Sequence, residues 1–160
     1  MSLDKHCSIA DPDPLERFRR HQQGLESALE STLELVNSLL ERRPDKRRGV
    51  HTAAVAKIED LQRELLQHFA LEEMGGYLSE VLAIAPQHSR RAETLAGSHG
   101  LLRDQLGRLL TRARRADPDS TNWEVLRADL HCFSAEILIH EEAEARLVSD
   151  VFLQDLGIAG

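Results

Sequence analysis

Apolar residues recur at intervals of three and four along four stretches of the chain, with polar residues between them. The stripes read Phe18, His21, Leu25, Ala28, Thr32, Leu35, Leu39; then Ile58, Leu61, Leu65, His68, Glu72, Ser79; then Ala92, Leu95, His99, Leu102, Leu106, Leu109; and last Leu126, Leu130, Phe133, Ile137, His140, Glu144, Leu147, Val151. This period marks helices with one buried face. No sustained two-residue alternation argues for strands. Pro12 and Pro14, Pro44 followed by Gly49, then Pro86 and Pro118 punctuate the pattern. They bound helical segments of approximately 15–42, 50–83, 88–115 and 122–155, rich in Leu, Ala, Glu, Arg and Gln, which favour helix. Asp119, Ser120 and Thr121 offer caps for the fourth segment, with Glu124 in its first turn. Short connections make successive helices antiparallel neighbours. The expectation is an all-α, up-down-up-down antiparallel four-helix bundle over residues 15–160, after an N-terminal tail of residues 1–14.

A chain of 160 residues is one domain's worth and can bury a substantial core. The formal charge of -7, with both signs interspersed, is no nucleic-acid footprint. The one basic run, 42-RRPDKRRG-49, falls at a turn and reads as a solvated loop. No stretch suits a signal peptide or a membrane span. Two cysteines, Cys7 and Cys132, make no disulfide framework, and a reducing cytoplasm fits. Cys132 is expected to be a small packed thiol. His6 and Cys7 read as tail residues.

The stripes contain an anomaly. Each carries a histidine, and two add a glutamate one turn later. Counting 1.5 Å of rise per residue from each turn puts His21, His68, Glu72, His99, His140 and Glu144 in one layer, to within about a turn. Other histidines fail the same test. His131 is rotated to the opposite face of its helix, His88 lies about three turns from His99, and His51 sits at the start of its helix. Burying unpaired carboxylates costs several kcal/mol each, unless they take up protons. A metal-free network of protonated groups is one answer, demanding because every member must be satisfied. A cation cluster is the more direct one. Six N and O ligands without thiolate suit iron or manganese, and zinc or copper less distinctively. Two ions sharing both carboxylates would each keep open positions for water, dioxygen, peroxide or nitric oxide. Glu73, Glu141 and Glu142 are expected to face solvent. Glu136, one turn before His140, reads as a partner of the ligands or a rim charge. Gly75-Gly76 reads as a kink or close packing, or as space for a small molecule beside Glu72.

The order of His21, 68-HFALEE-73, His99 and 140-HEEAE-144 resembles hemerythrin-like HHE cation-binding domains, over residues from about 15 to 155. The resemblance implies a four-helix bundle holding two non-haem iron ions, with a bridging oxo, hydroxo or peroxo group. His21 and His68 would ligate one iron, His99 and His140 the other, and Glu72 and Glu144 would bridge them. Leu95 and Arg103 flank His99 by one turn each, where oxygen carriers of the family place a further histidine; Ala145 stands where they place an aspartate. The implied centre is therefore more open than a carrier's and richer in carboxylate relative to histidine. Two functions follow as expectations. One is binding or sensing of dioxygen, nitric oxide or iron; the other is an oxidase or peroxidase-type enzyme. A metal-free helical interaction protein is the third alternative. An aromatic content of 4% leaves few residues to line a large substrate pocket, which favours a small diatomic or peroxide ligand. No nucleic-acid or membrane partner is expected.

Overall fold

The computed structural model describes residues 14–74 and 77–151, and these form helices joined by short turns. Long helices α1 (Pro14–Glu41), α2 (Arg48–Glu73), α4 (Ser89–Arg115) and α5 (Asn122–Ser149) are accompanied by a short α3 (Tyr77–Ile84). Proline opens a 3-10 turn at Pro44–Lys46 and another at Pro86–His88, where its fixed φ and missing N–H are tolerated. Arg47 wraps back over the end of α1. Its guanidinium donates to the carbonyls of Arg42 at 3.0 Å and Leu40 at 3.2 Å, two groups the helix end leaves unbonded.

The second segment is not the single helix expected over 50–83. It ends at Glu73, where the Met74 N–H closes onto the Ala70 carbonyl at 2.9 Å. A separate helix begins at Tyr77, and the Gly75-Gly76 pair read as a kink, close packing or space beside Glu72 lies outside the described residues. The N-terminal tail with His6 and Cys7 also lies outside them.

Each long helix packs on two others: α1 on α2 and α5, and α4 on α2 and α5. Exposed ion pairs link neighbouring helices: Arg112 of α4 with Asp129 of α5, Arg91 of α4 with Asp150 just past α5, and Arg114, at the end of α4, with Glu59 midway along α2. At that end of α4, His51 Nε2 donates to the Ala116 carbonyl at 2.8 Å and its ring meets Trp123 edge-on.

The apolar interior falls into two clusters. The larger contains Leu29, Leu61, Leu65, Phe69, Leu102, Leu106, Leu130 and Ile137; the smaller contains Leu78, Ala92, Leu95, Leu147 and Val148. Between them along α4 stands His99, and along α5 stand His140 and Glu144. The polar layer is thus held between two dry blocks, and α3 supplies part of the smaller one. Cys132 is exposed, because its position on α5 points away from the stripe through Phe133 and Ile137. On α1 the interior face is centred on Leu25, Leu29, Thr32 and Val36 rather than on Ala28 and Leu35, which are half-buried. Among the described residues no helix is long and apolar enough to cross a membrane.

Candidate metal centre

Helical spacing of four puts His68 below Glu72 on α2 and His140 below Glu144 on α5; α4 adds His99 from its buried stripe. These five residues, together with Glu141, converge in two groups of ligand atoms. One is Glu72, His99, His140 and Glu144; the other is His68, Glu72, Glu141 and Glu144. Within each group the ligand atoms lie within 4.8 Å of one another, and all the residues are buried. Glu72 and Glu144 belong to both.

Distances in the first group lie at the long end of the hydrogen-bond range and match the spacing of donors around one cation. His99 Nε2 and His140 Nε2 face each other at 3.1 Å. His99 Nε2 lies 3.2 Å from Glu72 Oε2 and 3.4 Å from Glu144 Oε1, and His140 Nε2 lies 3.1 Å from Glu144 Oε1. Donors bound to one ion at about 2.1 Å lie about 3.0 Å apart at a right angle and about 3.4 Å apart at the tetrahedral angle. The far sides of both rings are already committed. Ser98 Oγ donates its single proton to the Leu95 carbonyl at 2.7 Å, so it accepts from His140 Nδ1–H at 2.8 Å. Glu73 Oε1 accepts from His99 Nδ1–H at 2.8 Å and from Arg103 at 2.7 Å. With Nε2 deprotonated, rings held this way would aim their Nε2 lone pairs into the space between them, the arrangement of metal-bound histidines. Phe69 stacks on His99, centroids 3.9 Å apart and planes within 8°, and the Arg103 guanidinium lies over the Phe69 ring, 5.7 Å from its centroid.

The second group is tighter. His68 Nε2 lies 2.6 Å from Glu72 Oε1 and 2.8 Å from Glu141 Oε1. Burial pushes the His68 imidazole down, but its hydrogen bonds and attraction to Glu141 and Glu72 outweigh this and raise it to about 10. Burial likewise lowers His99, and bonds to Glu144, Glu72 and Glu73 raise it to about 9. Glu141 is pushed up, by burial and then by the charges of Glu144 and Glu72, against the pull of His68. Glu73 is held below the usual carboxylate range: slight burial opposes this, and His99 and Arg103 prevail.

Two buried carboxylates remain incompletely satisfied. Glu72 meets only the rings of His68 and His99, at 2.6 and 3.2 Å, and Glu141 Oε2 has no hydrogen-bond partner among the described residues. An orphaned buried carboxylate oxygen costs several kcal/mol, and a shared cation satisfies it. The donor set of three imidazoles and three carboxylates, without sulfur, fits iron or manganese.

His21 is not in either group. It is exposed, with its ring centroid 6.3 Å from that of His68. The reason is the offset of the α1 face: His21 falls in line with half-buried Ala28 and Leu35, one position from the buried line of Leu29 and Val36. Glu141 takes the interior place instead, at 1% exposure, and is not the solvent-facing residue expected. A signal for it existed one heptad on, where Leu147 and Val148 are adjacent and both buried, so the α5 face is two residues wide at 140–141 as well. Glu73 is exposed as expected, yet it reaches the centre through His99. Glu136, Glu142 and His131 face outward. Comparisons with protein-family models, with characterised proteins and with solved structures give no match.

Proposed function

We propose that this chain is a hemerythrin-like protein, an up-down-up-down antiparallel bundle around a carboxylate-bridged two-iron centre that binds or senses dioxygen, nitric oxide or iron itself. The observation that carries the reading is the membership of Glu72 and Glu144 in both ligand groups, since a residue common to two cation sites is a bridge. The bond from His51 near the start of α2 to Ala116 just past α4, and the pair joining Arg112 near the end of α4 to Asp129 in the first third of α5, support antiparallel neighbours. A bound iron pair would supply redox change and open coordination positions for small ligands.

The chain's own part is positioning and exclusion. Glu73 and Ser98 hold His99 and His140 by Nδ1 and leave Nε2 free to ligate. Glu72 and Glu144 offer their oxygens between the two groups. The two apolar clusters keep bulk water from the layer and strengthen its electrostatics. Burial of the whole set favours a ligand of two or three atoms over a large substrate.

The test is iron content per chain after purification from an iron-supplemented culture, with visible spectra of the reduced protein before and after oxygen. About two irons per chain and an oxo-to-iron band support the proposal. A stable oxygenated spectrum identifies a binder, and multiple turnovers with reductant identify an enzyme. Failure to take up any metal after anaerobic reconstitution overturns the proposal and leaves a protonated hydrogen-bond network in a helical interaction protein.

A further inference from the structure

We propose that the two halves of the centre differ in cation preference and fill in a fixed order, with Glu141 rather than His21 completing the second half. This rests on reading the cluster as a two-cation centre. One half offers two imidazoles and two carboxylates; the other offers His68 as its single imidazole and three carboxylates, Glu72, Glu141 and Glu144. Nitrogen donors favour borderline ions late in the first transition row, such as cobalt(II) and zinc(II), whereas carboxylates suit manganese(II).

Preorganisation acts in the same direction. In the first half both rings are already oriented, His99 by Glu73 and the Phe69 stack, His140 by Ser98. In the second half His68 Nδ1 has no hydrogen-bond partner among the described residues, so its ring is less firmly set. The first half therefore fills first. Glu141 is equipped to close the second: Oε1 reaches the ligating nitrogen of His68 at 2.8 Å, and the buried Oε2 has no hydrogen-bond partner among the described residues. His21, exposed on the edge of α1, would need to swing inward to compete.

Electrostatics gives Glu141 a second role. Three carboxylates facing two divalent cations leave one net positive charge, where the set containing His21 would leave two. The lower charge eases repulsion between adjacent ions, which allows the weaker half to fill.

The experiment is an anaerobic cobalt(II) titration of the metal-free full chain, followed by loading with equal cobalt(II) and manganese(II). Wild type, Glu141→Gln and His21→Ala are compared, with helical circular dichroism as the folding control and Glu141→Asp as a second variant should glutamine unfold the chain. Wild type should bind two cobalt ions, the first at least about tenfold more tightly, and the mixed load should give one of each metal. Glu141→Gln should weaken the second step by about 10–100-fold and leave the first unchanged, while His21→Ala alters neither. Equal affinities, or loss of the second ion in His21→Ala with Glu141→Gln silent, overturn this inference and leave the two-cation reading standing. A wild type that binds no cobalt overturns both.

Discussion

Ser98 holds His140, one of the proposed ligands, with a single hydroxyl. Its proton is committed to the Leu95 carbonyl, and its oxygen fixes the Nδ1–H tautomer of His140. Glu73 does the same for His99 with a full charge, itself steadied by Arg103. Such outer partners typically contribute 10–100-fold to metal affinity. Ser98→Ala should therefore weaken cobalt(II) binding by about that range while changing stability by no more than about 1 kcal/mol, since the residue is only half-buried. Competition against a calibrated chelator measures the first, and urea denaturation the second. Unchanged affinity would remove Ser98 from the centre's design. Neither partner was legible from sequence: a serine one residue before a histidine on a helix has no pattern of its own, and only the neighbouring helix makes it a ligand's support.

At the level of helices, stability and position are set by different contacts. Leu106 on α4 is fully buried in the larger cluster, beside the packed faces of α2 and α5. Leu106→Ala should cost about 2–5 kcal/mol, the transfer loss plus a residual cavity. The Arg114–Glu59 pair also links α4 to α2, but its side chains are 56% and 37% exposed. Glu59→Ala should cost less than about 1 kcal/mol, because solvent screens the pair and two long side chains lose freedom to form it. Urea midpoints of the two variants test the contrast; equal losses would mean that ion pairs, not packing, hold α4 in place. Element ends followed the punctuation closely, with α4 and α5 starting within a residue of where Pro86 and the Asp119–Thr121 cluster put them. The end of α2 at Glu73 did not, because the apolar pattern runs on past it and a glycine pair inside such a pattern is compatible with a continuous helix.

For the molecule as a whole, the polar layer should make stability depend on pH and, on the proposed two-cation reading, on metal. His68 and His99 are raised from the ordinary value of 6.5 to about 10 and about 9. A raised folded-state value means stabilisation that is complete below pH 6.5 and is lost as pH rises through about 9 and about 10. Glu141 is also raised, so its contribution has the same sign and starts to fade above its ordinary 4.5. Glu73, being lowered, has the opposite sign but acts below this window. In chelator the urea midpoint should fall steadily from pH 7 to 10. Saturating cation should offset the fall, by about 2.7 kcal/mol at a hundredfold excess over Kd. A midpoint that is flat or rises in chelator would show that the histidines are not held as cations by the buried carboxylates.

Sequence alone was sufficient for the helical class, the four long segments and the depth of the layer. All three follow from a 3.6-residue period, a fixed rise per residue and helix-breaking residues, which are properties of the local chain. It also singled out His68, Glu72, His99, His140 and Glu144, since a polar residue in an apolar stripe is visible without knowing its neighbours. Only tertiary structure decided the membership at the edges. A stripe has a centre that periodicity locates well and edges that depend on how the neighbouring helices press against it. On α5, flanked by α1 and α4, the interior widens enough to take in Glu141. On α1 the face turns by one position, and His21 is left in solvent.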